Sequence, residues 1–435
     1  MSKRQTKPQV RHRLLVLLFL VIAINYLDRS SLSVAAPHIR DEFGLSDVQL
    51  GLLFSIFSWS YVAMQLPAGW LLDRLGPKMA YGWALVCWSF FTATLALSRN
   101  LGTLLGLRLA LGAAEAPAFP ANSKLVSNWF PAAERGRATA TWICGQYAGL
   151  AIALPLLTWI IALAGWRVMF LATGIAGLAL AVFWFRHAHD EPRLHPAISE
   201  EELNHIGSAL PTDQAQPRAR ASWADFRYLL GQRRLWGMYV GNFCSNSALS
   251  FFLTWFPSYL TKEKGISFSQ AGWLGMIPYM AALVGVLVSG TLSDRLLRSG
   301  LSPAFARKAP LIGGYMLATT IFLANFTSDP AIVVAIMSIA FFGQGTSGIS
   351  WTIFSDVAPL RMIGLAGGMF NFFTGLGAIV TPLVIGVIVG QTGSFAPALM
   401  FIAILAAIGM FSYLFVVDRV ERLVPPDDTG CKGVI

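Results

Sequence analysis

Twelve long apolar stretches constrain this chain more than any other feature. They run at roughly 14–36, 49–72, 79–98, 101–122, 138–160, 167–186, 235–260, 268–292, 310–326, 331–354, 364–388 and 396–417. A helix needs about 20 apolar residues to cross the hydrocarbon core of a bilayer, and each stretch is of that order. At that length twelve passes use just over half of the 435 residues. None of the stretches alternates with period two, which argues against a membrane β-barrel. The expected fold is therefore all-α: a polytopic membrane protein with twelve transmembrane helices in two six-helix bundles.

Composition agrees. Only 12% of the residues are charged and 55% are hydrophobic, whereas a soluble domain carries about 25% charged residues. A soluble enzyme of this length, a disordered chain, a nucleic-acid module and a secreted disulfide scaffold are all excluded. The net charge of +10 reports topology and not an acidic ligand. If the N-terminus is cytoplasmic, that side holds Lys3, Arg4, Lys7, Arg11 and Arg13, then Arg74, Lys78, Arg135 and Arg137. It also holds the arginines of the central loop, then Arg295, Arg298, Arg307, Lys308, Arg361, Arg419, Arg422 and Lys432. The other side receives only Arg40, Arg99, Arg167, Lys262 and Lys264. The positive-inside rule then places both termini in the cytoplasm, and the cell inner membrane is the expected location. The first stretch ends on a signal-peptidase-like Val34-Ala35-Ala36, but it is too long for a signal peptide and contains Asp28-Arg29, so it reads as the first span. Cys87, Cys144 and Cys244 fall within spans and Cys431 in the tail. They form no paired spacing and no Cys/His cluster, so neither a metal nor a cofactor is expected.

The chain reads as two halves: a tail 1–13, a bundle 14–186, a cytoplasmic loop 187–234, a bundle 235–417 and a tail 418–435. The halves repeat. Gly69-Trp70-Leu71-Leu72-Asp73-Arg74-Leu75-Gly76-Pro77-Lys78 lies between spans two and three, and Gly290-Thr291-Leu292-Ser293-Asp294-Arg295-Leu296 lies between spans eight and nine. These are expected to be gating loops, with Asp73, Arg74, Asp294 and Arg295 as latches. The Asp suits the N-terminus of the neighbouring helix, where the helix dipole favours a negative charge.

An ionisable group in a bilayer costs about 2.5–3.5 kcal/mol on insertion scales and marks a pathway or relay. Four lie deep, all in the first half: Asp28 and Arg29 on span one, Arg108 and Glu115 on span four. Arg108 and Glu115 are seven residues apart, so they share a helix face about 10 Å apart. Counting down from the outer ends puts Asp28 level with Arg108 and Glu115 deeper, so Asp28 is expected to pair with Arg108. All six His fall in tails or loops. A coupled proton therefore needs a carboxylate. A carboxyl in a dry interior holds its proton when no cation faces it and releases it when one does. Asp28, Glu115 and Arg108 are the expected proton-coupling residues. The second half has no deep charge in spans seven, ten or eleven but offers Asn242, Asn246, Gln344, Ser347, Ser350, Trp351, Thr352, Ser355 and Asn371, with Tyr26, Tyr61 and Gln146 as first-half counterparts.

The two-half pattern with paired loop motifs resembles the major facilitator superfamily. Asn25-Tyr26-Leu27-Asp28-Arg29, Gly112-Ala113-Ala114-Glu115-Ala116-Pro117-Ala118-Phe119-Pro120 and Asn128-Trp129-Phe130-Pro131 resemble its anion:cation symporter family. Leu253-Thr254-Trp255-Phe256-Pro257-Ser258-Tyr259-Leu260-Thr261 and Gly368-Met369-Phe370-Asn371-Phe372 resemble the bacterial sugar-acid branch. The resemblance implies proton-coupled symport of an organic anion by alternating access, the anion being a sugar acid such as galactonate or a related aldonate. It implies binding roles for Tyr26, Arg29, Tyr61, Asn242, Ser350, Trp351 and Asn371, to which Gln146 is added. The branch pattern has Gln, Ser and Thr where this chain has the smaller Asn242, Gly348 and Ser350. The partners expected are the small anion, protons and the lipid bilayer, with no nucleic acid, the chain working as a monomer. The alternatives are a symporter of a hexuronate, aldarate or aromatic carboxylate, or a non-coupled anion exchanger. An enzyme would need a nucleophile, metal cluster or phosphate loop, and none is present in the sequence. A channel has little use for a two-half repeat, and the central loop is small for a signalling domain.

Overall fold

A computed structural model describes residues 10–207, 223–359 and 362–424. Much of both expected tails, the middle of the central loop and Arg361 lie outside the described residues, as do Arg218, Arg220, Cys431 and Lys432. The chain divides into two compact units, Met1–Ala215 and Gln216–Ile435.

In the first unit α1 runs Val10–Phe43, α2 Asp47–Ala63, α3 Gln65–Leu75, α4 Pro77–Thr94, α5 Leu101–Glu115, α6 Ala118–Trp129, α7 Ala132–His187 and α8 Glu200–Gly207. Local sequence sets the boundaries. Ser46 and Gln49 form a capping box that opens α2, and Asn100 and Thr103 form another at α5, each satisfying amides that a helix start leaves free. Between α3 and α4 the chain turns through Gly76 at φ 78, and Pro77 opens α4. A side chain rarely adopts that φ, and Pro suits a first helical position. Long α7 is two helices joined across a kink at Gly165 (φ 81). It packs on α1 and α4, while α5 packs on α2 and α4.

The second unit holds α9 Trp223–Leu230, α10 Arg233–Thr254, a single turn α11 Phe256–Ser258, α12 Phe268–Arg298, α13 Pro303–Thr319, α14 Pro330–Gly345, α15 Ser350–Val357, α16 Ile363–Thr392 and α17 Ala396–Phe411. Here α10 packs on α16 and α17, and α14 on α12 and α13. The core includes Tyr239, Tyr315, Phe354, Phe370 and Tyr413.

Eight of these helical segments are long and apolar enough to cross a membrane, or nine if the pair Asp47–Ala63 and Pro67–Leu75, bent by 53°, is one span. The kink at Gly165 divides one of the eight into the expected spans five and six. Spans four and seven complete the set, and both fall short of that test for physical reasons. Span four is broken into α5 and α6 at Ala116-Pro117, and α10 opens on two arginines and carries Asn242, Asn246 and several serines. The least apolar passes thus carry several of the polar candidate residues. Apolar side chains such as Trp83, Trp159, Leu163, Ile175 and Val182 are more than half exposed, as lipid-facing positions require. The protein is a multi-pass membrane protein.

Candidate functional site

The deep charges of the first unit converge. Arg29 on α1 donates from Nε to Glu115 Oε2 on α5 at 2.7 Å, with Glu115 wholly buried and the Arg29 side chain 9% exposed. The guanidinium lies among three rings, 4.8 Å from the centroid of Tyr26, 5.0 Å from Phe57 and 4.6 Å from Tyr61. Arg108 lies against the same Phe57, at 5.0 Å. A cation over an aromatic face is held by the ring's quadrupole, more strongly when water is absent. Phe57 thus lies against both guanidiniums. Its placement depends on Gly112, where a Cβ would strike the Phe57 carbonyl oxygen, so α5 lies against the backbone of α2. Phe57 was missed in the sequence, though its i, i+4 spacing to Tyr61 puts both on one face of α2.

The pairing differs from expectation. Asp28 is buried but neither of its oxygens makes a hydrogen bond, and Nε and Nη1 of Arg108 make none either. Both lie within electrostatic reach of Glu115 and of each other. Depth arithmetic brought Asp28 and Arg108 to one level but could not fix which side chain of α1 faces α5. Asp28 and Arg29 point about 100° apart, and Arg29 is the one that reaches across to Glu115. Gln146 is buried on α7 and makes none of these contacts.

In the second unit most of the polar candidates bind one another. Asn242 on α10 donates from Nδ2 to Thr374 Oγ1 at 2.6 Å and accepts from Ser350 Oγ at 2.8 Å. Asn246 donates to the Thr374 carbonyl at 2.7 Å, and Gln344 donates to the Ser245 carbonyl at 3.0 Å. Thr374, not singled out in the sequence, ties α16 to both asparagines of α10. Trp351 and Asn371 remain open. Trp351 is 41% exposed, its ring standing edge-on to Phe370 at 4.7 Å, and Asn371 is exposed.

With both halves described, the chain can be set beside known proteins. The model of the Major Facilitator Superfamily matches residues 18–377. The chain belongs to that superfamily. It is 43% identical over 422 residues to the D-galactonate transporter of Escherichia coli O6:H1, covering 95% of this chain and 97% of the relative. It is 41% identical to the "Probable galactarate/D-glucarate transporter GarP" of Escherichia coli K12, covering 95% and 96%. Against the "Probable galactarate/D-glucarate transporter GudP" of Bacillus subtilis 168 the identity is 39%, covering 96% and 94%. Among solved structures, a bacterial homologue of the human lysosomal transporter Spinster in an inward-facing and occupied conformation shares the fold. Its TM-score is 0.68 at 18% identity, covering 94% of this chain and 95% of that one. These are transporters and not enzymes, as is this superfamily member.

The paired loops of this superfamily member are held within each unit. Asp73 accepts from Lys124 Nζ of α6 at 2.7 Å, and Arg74 lies 5.3 Å from the Trp70 ring. Asp294 pairs with Arg307 of α13 at 3.7 Å, and Arg307 also reaches Asp356 at 3.5 Å. Arg295 is exposed. Asp73 does not occupy the start of α4. Side chains tilt towards the N-terminus of their own helix, so Asp73, in the last turn of α3, points back from the turn. Asp190 takes the place instead: its Oδ1 accepts from the Lys78 amide at 2.6 Å.

Proposed function

We propose that the chain is a proton-coupled symporter of a sugar acid, an aldonate such as D-galactonate in the first instance, working by alternating access in the inner membrane with both termini cytoplasmic. Its bundles 14–186 and 235–417, joined by the cytoplasmic loop 187–234, are the moving parts. The observation that carries the reading is the buried Arg29–Glu115 pair. An anion entering a dry interior needs a cation, and Arg29 offers a planar fork suited to a carboxylate. Glu115 already holds one edge of that fork, while Nη2 makes no hydrogen bond. The substrate carboxylate therefore competes with Glu115. A proton on Glu115 removes the competitor, so proton and anion enter together and the buried charge stays balanced. Asp28 is the second protonatable group and Arg108 the cation that answers it. Tyr26 and Tyr61 frame Arg29, and Gln146 adds a first-half amide. Trp351 and Asn371 are the open groups for sugar hydroxyls, with Asn242 and Ser350 setting the local frame. Asp73, Arg74, Asp294 and Arg295 act as the gating latches.

The relatives named for galactarate and D-glucarate support a second substrate reading, a six-carbon diacid. Both are tested by uptake into proteoliposomes under an inward proton gradient, with D-galactonate, galactarate and D-glucarate in parallel. The expected result is accumulation of at least one acid, abolished by a protonophore. Uptake that ignores the protonophore would replace symport with exchange or facilitated diffusion. No uptake of any acid would remove the substrate class.

A further inference from the structure

A line of buried polar side chains leads away from Glu115 through the first unit. Glu115 gives one oxygen to Arg29, and its Oε1 makes no hydrogen bond. Nearby are Asn25 on α1 and, farther on, Asn122 on α6 and Tyr81 on α4. Both asparagines are 0% exposed and Tyr81 is 1% exposed. Asn25 lies close enough to Glu115, and Tyr81 to Asn122, to interact, yet neither amide nor the Tyr81 hydroxyl has a partner at full hydrogen-bond geometry. The charged groups that face Glu115 are Arg29, Arg108 and Asp28.

The line has a direction. Asn122 follows Glu115 by seven residues, about 10 Å of helix rise, towards the end of the unit where α1 begins. Tyr81 sits four residues into α4, about 6 Å from that same end. Its ring packs edge-on against Trp184 at 4.8 Å and close to Trp88 at 5.9 Å. At the end itself, Asp190 meets the Lys78 amide, and Asn128 and Trp129 donate to the carbonyls of Asp190 and His189 at 3.0 Å each.

A buried polar group left unsatisfied costs about 1–3 kcal/mol, and native proteins meet such groups with ordered water when two to four polar partners converge. Two amides, a hydroxyl and a carboxyl oxygen supply such partners. We propose that Asn25, Asn122 and Tyr81 hold internal water that carries the proton between Glu115 and the end of the first unit marked by Asp190, without crossing the substrate path. The inference rests on the reading of Glu115 as a proton carrier. In each transfer one O–H bond breaks as the next forms. Glu115 gives its proton to the adjacent water, and Tyr81 accepts a proton on its oxygen while passing its own to the next water. One proton reaches solvent beside Asp190. Glu115 is left as the carboxylate that Arg29 binds. Tyr81, Asn25 and Asn122 are positioning residues in this scheme, since none of them touches the substrate.

The test compares wild type, Tyr81→Phe, Asn122→Leu and Asn122→Ser in proteoliposomes, with D-galactonate, galactarate and D-glucarate as probes. Two rates are read: uptake driven by a proton gradient, and counterflow without one. Counterflow needs no proton release, because the loaded carrier can shuttle with its proton aboard. The expected result is a fall of about tenfold or more in driven uptake for Tyr81→Phe and Asn122→Leu, with counterflow near wild type. Asn122→Ser, which keeps a donor and an acceptor for water, should recover most of the uptake. Loss of both rates together would show a structural role and overturn the route. Unchanged driven uptake in both Tyr81→Phe and Asn122→Leu would overturn it too, while leaving the symport reading intact. A wild type that cannot accumulate any of the three acids under a proton gradient would bring down the symport reading and the route with it.

Discussion

The central pair can be weighed against a second pair of the same length. Arg29–Glu115 and Lys124–Asp73 both have N–O distances of 2.7 Å. They differ in burial: 9% and 0% side-chain exposure in the first, 35% and 66% in the second. Exposed pairs contribute about 0.2–1 kcal/mol. In the buried pair, charge centres near 4 Å apart at an effective dielectric of about 20 attract by about 4 kcal/mol. Glu115→Gln leaves the guanidinium of Arg29 without that partner, although the three surrounding rings retain part of its stabilisation, about 0.5–2 kcal/mol each. The expected loss is about 2–4 kcal/mol. Arg29→Met together with Glu115→Gln removes both charges and should recover most of it. The measurement is a double-mutant cycle, read by unfolding in mixed micelles with a denaturing detergent, beside the same cycle for Lys124→Met and Asp73→Asn. A coupling energy at Arg29–Glu115 no larger than that at Lys124–Asp73 would refute the reasoning.

Gly112→Leu should destabilise by about 1–3 kcal/mol or more, because a Cβ there meets the Phe57 carbonyl, whereas Gly106→Ala on the same helix, with open space around it, should gain about 0.4–1 kcal/mol; thermal melts of the purified protein decide both. Asn242→Ala should cost about 1–3 kcal/mol by leaving Ser350 and Thr374 without their shared partner, while Asn371→Ala should stay within about 0.5 kcal/mol in stability and weaken sugar-acid binding. His195, outside the spans, has its imidazole held below the usual range by burial first, then by His189 and Arg13. The unfolded segment therefore takes up protons more readily than the folded one, so local stability is present above a pH of about 6.5 and is lost as pH falls below it. Protection factors across 187–207, the pH-dependent intrinsic exchange rate divided by the observed one, should fall between pH 7.5 and 5.5, and unchanged protection would contradict this.

Much of the architecture was legible because the bilayer imposes it. A backbone in hydrocarbon must satisfy its own hydrogen bonds, so apolar length alone located the helices, including the two that α7 joins at Gly165. The four deep charges were legible for the same reason: a charge is so costly there that its presence marks a purpose. What could not be read was which groups meet. The polar list of the second half mixed two kinds of residue. Asn242 and Ser350 close on one another, with Thr374 from outside that list as a further partner of Asn242, whereas Trp351 and Asn371 stay open, and only helix rotation separates the two kinds. The loop acids were visible as a repeat, but Asp190 was not, because it lies more than a hundred residues from the turn it caps and has no motif of its own.

Under the proposed symport reading, the pairing found at the centre divides the labour of the two acids. Asp28 and Arg29 are neighbours on α1, and only Arg29 makes a hydrogen bond to Glu115. With Arg29 turned to Glu115, that reading makes the substrate's carboxylate and Glu115 rivals for one guanidinium and links binding of the anion to the charge on Glu115 by direct competition. Asp28 touches neither Arg29 nor Glu115 through a hydrogen bond, so no such rivalry exists for it. Under the proposed symport reading, Glu115→Gln should then bind substrate with an affinity that no longer varies with pH, since its amide cannot compete as a carboxylate does. Asp28→Asn should keep the pH dependence of binding and lose accumulation. If the two variants exchange these phenotypes, the competition at Arg29 is not the coupling step.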